Sequence, residues 1–334
     1  MLEQKTNTVY QEPAFLATSW SDLIKDELTL VENRLRAAPP EQHGMLTATI
    51  QALFDAGGKR LRPSVCLLTA KMFDADNNHA ISLAASVEML HTATLIHDDL
   101  IDGAMLRRGA PTLNALWSSD IAVLTGDYLF ARAASLVAEV EIVPVMKLFS
   151  KTLETILNGE IAQKFSKWQI DRNEYKKRIY AKTAALFVLS AHSSARLGGA
   201  EPASLKAMID FGHSIGMAFQ IVDDVLDYVG NSNKTGKPSG GDLNQGLFTL
   251  PAILFSEAHP HDEDIQTLLE LKEAEPKLVQ RLLRKIKESG AIEASLREAE
   301  QSLNKGINSL DQLSPSPYKD SLLLLAKQTV TRDM

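Results

Sequence analysis

Two copies of one acidic pattern, each closing an apolar helical stretch, restrict this chain more than any other feature. HDDLID holds Asp98, Asp99 and Asp102; VDDVLD holds Asp223, Asp224 and Asp227. On an α-helix a four-residue step turns through ~400° and rises ~6 Å. Asp98 and Asp102 therefore share a face, one turn apart, and so do Asp223 and Asp227. Three carboxylates in one turn repel one another, and at a helix C-terminus they also oppose the macrodipole. Hard divalent cations relieve both problems. Mg²⁺ takes oxygen ligands, keeps several waters and is commonly held by one or two carboxylates plus substrate phosphates. Two such helix ends facing each other would make a cavity for Mg²⁺-diphosphate. A solvated acidic helix end would explain one copy, but the apolar flanks (Leu95, Ile96, Leu100, Ile101; Ile221, Val222, Val225, Leu226) and the repetition argue against it.

The apolar period is helical almost throughout, and the alternation of a strand is nearly absent. Helices are expected over about 21–38, stopping at Pro39-Pro40, and 42–56, stopping at Gly57-Gly58. A third opens near Pro63, and a long one covers about 78–102, with Ile81, Val87, Leu90, Thr94, Leu95 and Ile101 as inward positions. The stretch 103–111 reads as a loop. Helices follow over 119–139, 143–167, 173–198 and 202–229, then a loop over 230–246. The region 261–332 reads as shorter polar helices broken near Pro276, Gly290 and Pro315-Pro317. The expectation is one all-α domain over residues 1–334, ten or more helices around a central cavity, with 1–18 a loose N-terminal segment.

Composition narrows the function. The formal charge is −7, so the basic field that nucleic-acid binding needs is missing. One cysteine, Cys66, excludes a disulfide framework and a cysteine-based zinc site, and makes a reducing compartment the default. No uninterrupted apolar run approaches the ~18 residues of a membrane span. The N-terminus has no signal-peptide h-region. A cytoplasmic enzyme is expected, with peripheral membrane contact left open.

Two acidic clusters and two diphosphates would need cations. GGKRLRP supplies Lys59, Arg60 and Arg62; RRG supplies Arg107 and Arg108 just after the first cluster. Arginine suits bidentate contact with phosphate oxygens. Lys182-Thr183, Gln220, Lys234 and Lys237 follow. His91 lies two helical turns before Asp98 and can face the same cavity; His97 points elsewhere.

In this order the motifs GGKRLRP, EMLHTATLIHDDLID, LRRGAPTLN, GDYLFARA, the NGE of 158–160 with Gln163, KTA, FQIVDDVLDY and GKPSGGDLNQG resemble the trans-isoprenyl diphosphate synthases, the polyprenyl synthetase family. The resemblance implies the all-helical isoprenoid synthase fold, a homodimer, and Mg²⁺, three ions per site once diphosphate is bound. By position it implies Asp98, Asp102, Asp223 and Asp227 as metal ligands. Arg107, Lys182, Thr183, Gln220 and Lys237 would contact the allylic diphosphate, and Lys59, Arg62, His91 and Arg108 isopentenyl diphosphate. Asp98, Asp102, Arg107, Lys182, Asp223 and Lys237 would carry the catalysis. One departure is Leu247, where many members have a second lysine after the GGDLNQG motif; Asp242 remains to hold loop lysines or metal-bound water.

The implied reaction is ionisation of an allylic diphosphate, attack by isopentenyl diphosphate and loss of a proton. Ala93 and Thr94 would flank the growing chain. Both are small, so an all-trans product longer than C20 is expected, with deeper residues in 124–136 setting the floor. The alternatives are a C15 or C20 farnesyl or geranylgeranyl synthase and a catalytically weak subunit of a heteromeric synthase. An HD-type phosphohydrolase would leave the second DDxxD unexplained, and a terpene cyclase would not need the isopentenyl cations.

Overall fold

Local signals in the sequence set the helix that carries the first triad. In the computed structural model, which describes residues 19–39, 43–107, 109–229 and 240–330, the side chain of Asp76 accepts the His79 backbone N–H at 2.9 Å and opens α4 (Asn77–Ile101). The helix closes on Gly103, whose φ of +63° lets Gly103 N–H reach the Leu100 carbonyl and Ala104 N–H the Asp99 carbonyl. The stop is therefore immediate, and the triad is left in the last turn.

Before it come a short 3₁₀ turn (Asp22–Ile24), α1 (Lys25–Arg36), α2 (Gly44–Asp55) and α3 (Leu61–Met72). After it come β1 (Leu106–Arg107) and β2 (Ala110–Pro111), then α5 (Leu113–Leu116), α6 (Ser119–Ala138) and α7 (Val143–Phe165). Next are α8 (Arg172–Ile179), a π-turn (Tyr180–Ala184), α9 (Ala185–Leu197) and α10 (Pro202–Val229). The remainder is a turn at Gly241–Asn244 and helices Leu250–Ala258, Glu263–Leu271, Pro276–Glu288, Ala291–Ser309 and Pro317–Val330. The expected all-α class stands.

Four local expectations change, the first being that the described part of the loop expected over 230–246 holds a helical turn at Gly241–Asn244. The loop 103–111 contains a two-stranded antiparallel hairpin pairing Leu106 with Pro111 and Arg107 with Ala110; Gly109, at φ +80°, makes the tight turn. The helix expected over 173–198 is split by the π-turn, which an apolar period of 3.6 does not reveal. Ile101 is 53% exposed rather than inward, because it lies in the last turn of α4, beyond the core. Ile81, Val87, Leu90 and Thr94 are buried as expected.

The core forms two apolar clusters. One gathers α1 to α4, α6, α7, α9 and the first half of α10; the other gathers α8, the second half of α10 and the helices between Leu250 and Ser309. Helix α10 runs through both. It meets α9 and the π-turn at very short range, because a Cβ at Gly212 would lie 2.7 Å from the Phe187 carbonyl oxygen and one at Gly216 2.5 Å from Ala184 Cα.

Helix α6 is long and apolar enough by length and composition to cross a membrane. It lies antiparallel to α4 instead, with His97 opposite Gly126 and Ser82 opposite Glu139. A Cβ at Gly126 would stand 2.1 Å from His97 Nε2, and the same nitrogen lies 3.2 Å from the Val123 carbonyl oxygen. His97 thus joins two helices and has no place in the acidic cluster.

Candidate active site

The first triad divides its work. Asp99 is buried and holds Arg107 by two hydrogen bonds, Nε to Oδ2 at 2.6 Å and Nη2 to Oδ1 at 2.7 Å. This fork is the geometry in which an arginine–carboxylate pair is strongest. It fixes Arg107 on the hairpin beside the aspartates. Asp102, the C-cap, takes Lys164 Nζ of α7 at 3.2 Å. Asp98 precedes both on α4. Burial, Glu160 and Asp102 push its carboxyl up to about 7, against the pull of Lys182 and Arg107.

The second triad divides differently. Asp223 is exposed. Asp224 is buried and turned into the protein: its Oδ2 accepts from the Tyr175 hydroxyl and its Oδ1 from Gln220 Nε2, both at 2.7 Å. Burial, with Asp242 and Asp223 nearby, pushes its carboxyl up. Asp227 accepts the backbone N–H groups of Gly241 and Asp242, each at 3.1 Å. It anchors the turn at Gly241–Asn244 besides offering carboxylate oxygens. That turn brings Asp242 alongside, where burial and Asp227 push its carboxyl up while Lys182 and Arg178 pull it down.

Lys182 faces the first triad and the turn that Asp227 anchors. Its ammonium is stabilised by Glu160 and Asp98, then Asp242 and Asp102, and this outweighs the burial that would discharge it. The side chain is exposed beside these carboxylates. The π-turn places it there; such single wide turns recur at functional sites. Helix α7 presses on the same turn, since a Cβ at Gly159 would come within 2.4 Å of the Ala181 Cβ. This brings Glu160 and Lys182 together.

Thr183 and Gln220 lie in the buried layer beneath, where Thr183 Oγ1 donates to Gln220 Oε1 at 2.5 Å. Of the second cation group, Lys59 is exposed and Arg62 is buried, its guanidinium 4.9 Å from the centre of the Phe187 ring. Arg60 is engaged elsewhere. It takes up a left-handed conformation at φ +46° and is tied to Glu32, Glu88 and the Phe54 carbonyl. These ties offset a strain of roughly 1–3 kcal/mol. His91 is half-buried on α4, which packs directly on α3. Arg108, Lys234, Lys237 and the segment 1–18 lie outside the described residues.

Ala93 and Thr94 are buried below Asp98. An apolar groove of ≈ 360 Å³ lies between α6 and α7, lined by Phe130, Ala134, Val137, Phe149, Leu153 and Leu157 among others. Phe130 and Ala134 fall within the stretch expected to set a channel floor. Leu247 is buried, so the position where a lysine was expected is an apolar one, and Lys182 and Arg178 are the cations acting on Asp242. The sequence reading passed over Lys164, Tyr175 and Arg178. Lys164 had a signal, lying one turn beyond Glu160 on the same helical face.

The carboxylates fit a hard divalent cation. Among the described residues no three His, Cys, Asp or Glu side chains are gathered closely enough to cage an ion alone. Mg²⁺ needs no such cage, since it takes one or two carboxylates and fills its shell with water and phosphate. The raised Asp98 carboxyl is the charge such an ion would relieve.

The sequence model of the family described as polyprenyl synthetase matches residues 43–286. The chain belongs to the polyprenyl synthetase family. Heptaprenyl diphosphate synthase component 2 of Geobacillus stearothermophilus is 37% identical to this polyprenyl synthetase over 93% of the chain and 97% of that protein. The crystal structure of a decaprenyl diphosphate synthase from Rhodobacter capsulatus superposes with a TM-score of 0.87 at 31% identity, covering 94% of this chain and 98% of that one. A polyprenyl synthase from Caulobacter crescentus CB15, crystallised with calcium and isoprenyl diphosphate, gives a TM-score of 0.84 at 33% identity, covering 94% of this chain and 97% of that one.

Proposed function

We propose that this polyprenyl synthetase condenses isopentenyl diphosphate with an allylic diphosphate and extends it to an all-trans polyprenyl diphosphate longer than C20. The relatives named for heptaprenyl and decaprenyl products support the long chain, as do the small side chains of Ala93 and Thr94. The observation that carries the reading is Lys182, set among Glu160, Asp98 and Asp102 at the first acidic helix end and Asp242 on the turn that Asp227 holds after the second.

Asp98 and Asp102 on one side, with Asp223 and Asp227 on the other, would hold Mg²⁺, three ions per site in this reading. Bound there, Mg²⁺ neutralises charge on the departing diphosphate. Lys182 and Arg107 add fixed positive charge at the same place, the preorganised kind that lowers a barrier most effectively. Asp99 keeps Arg107 aimed. Thr183, Gln220 and Lys237 complete the allylic half; Lys59, Arg62, His91 and Arg108 hold isopentenyl diphosphate. The apolar walls below Asp98 receive the chain and exclude water from the allylic cation. The departed diphosphate is base enough to take the final proton.

A homodimer and a cytoplasmic setting belong to the same reading. Helix α7 exposes Leu157, Ile161 and Phe165, and α6 beside it exposes Leu124 together with the small Ala131, Ala134 and Ala138. A second copy would cover both faces. The component 2 name of relatives favours a second possibility, that the surface takes a different subunit. The purified chain, given Mg²⁺, isopentenyl diphosphate and an allylic primer, is expected to release inorganic diphosphate, and Asp98→Ala to lose almost all of that release. No release from the wild type, or full release from Asp98→Ala, overturns the assignment.

A further inference from the structure

Tyr175 touches none of the groups assigned to substrate or metal, yet it ends a buried chain that leads to them. Its hydroxyl donates to Asp224 Oδ2 at 2.7 Å. The other oxygen of that carboxylate accepts from Gln220 Nε2 at 2.7 Å, and Gln220 Oε1 accepts from Thr183 Oγ1 at 2.5 Å. All four side chains are buried. The chain passes from α8 to α10 and on to the π-turn, ending on the residue beside Lys182. Its members also flank the reacting groups in sequence: Asp224 follows Asp223, and Thr183 follows Lys182. Packing leaves the same joint little room, because Gly216 lies against Ala184 and Gly159 against Ala181.

A wide turn within a helix is a weak support for a catalytic lysine. Its backbone hydrogen bonds span five residues instead of four, as Ala185 N–H to the Tyr180 carbonyl does, so its residues leave the regular helical path and side-chain bonds help set where they sit. Hydrogen bonds in a buried chain also stand or fall together, since each partner orients the next. We infer that Tyr175 is a positioning residue for the allylic-diphosphate half of the site: through Asp224, Gln220 and Thr183 it keeps the turn carrying Lys182 in register with Asp223. The inference rests on the reading of this site as a Mg²⁺-diphosphate centre.

Tyr175→Phe keeps the ring and its volume and removes only the hydroxyl. Titration of inorganic diphosphate in the presence of Mg²⁺, followed by calorimetry, is expected to show binding about tenfold weaker in this variant, with the ligand-free melting temperature lower by only a few degrees, because one buried Asp224 oxygen loses its donor. In steady state kcat/KM for the allylic diphosphate falls by a similar factor, and KM for isopentenyl diphosphate stays within about twofold. Thr183→Val breaks the other end of the same chain. The double variant is then expected to be little worse than the weaker single one, because the two lesions share one path. Unchanged binding and kinetics in Tyr175→Phe, equal losses for both substrates, or losses that multiply in the double variant would each overturn the inference while leaving the site assignment standing. A wild type that neither binds Mg²⁺-diphosphate nor turns over would overturn both.

Discussion

Asp98 carries the sharpest residue-scale consequence. Its carboxyl is pushed up to about 7 by burial, Glu160 and Asp102, so the folded, metal-free chain binds that proton far more tightly than the unfolded one does. Between about pH 4 and pH 7 the folded state holds the extra proton, and stability falls as pH rises through that window. Above it the full cost is present until a cation enters. Asp98→Asn removes the charge and keeps the shape. At pH 8 without metal its melting temperature is expected to rise by about 2 °C, while turnover drops roughly 10³-fold. A lower melting temperature would show that the ionised Asp98 is stabilised by the protein itself. The aspartates were legible in the sequence as a motif; their separate tasks were not. That Asp99 clamps Arg107 and Asp227 anchors the turn after Gly240 depends on partners 8 and 14 to 15 residues away, brought close by turns whose geometry the motif does not encode.

At the scale of elements, the joint between α10 and the π-turn positions the site. Gly216 makes it, and Gly212, one turn earlier on the same face, fits α10 against α9; that four-residue spacing is displayed in the sequence. An added methyl at Gly216 would stand 2.5 Å from the Ala184 Cα, where backbone cannot yield cheaply. Gly216→Ala is expected to destabilise by about 1–3 kcal/mol and to lower activity more than that loss explains, because the displaced turn carries Lys182. Gly44→Ala meets nothing within 4 Å and serves as the control, with a change within about 0.5 kcal/mol. Denaturant melts and rate measurements on the pair distinguish a local effect from a general one. Helix limits were readable because caps announce them: Asp76 and Gly103 for α4, Gly57 beyond α2. The π-turn was not, because one extra residue in a helix leaves the apolar period almost unchanged. The hairpin at 106–111 was not, because two-residue strands have no period to detect.

For the whole molecule, the helical class could be reached from the sequence, whereas the outer face of α6 and α7 could not. Apolar residues spaced along a helix look the same whether they meet the core or a second chain. Phe165, 82% exposed, and Ile161 form part of the apolar face that the proposed partner subunit would cover. Light scattering is expected to give twice the chain mass of 36.6 kDa for the wild type and the single-chain mass for Leu157→Glu combined with Ile161→Glu. A dimer that survives both charges lies on another face.

The same scale holds the question of what the assembled site makes. The purified chain alone can be incubated with Mg²⁺, excess isopentenyl diphosphate and an allylic primer, and its products dephosphorylated and weighed by mass spectrometry. The expected result is a series of all-trans prenols ending beyond C20. A series that stops at C15 or C20 would contradict the chain-length account, and no prenol at all would contradict the claim that Lys182 and the aspartates around it make this chain a working synthase.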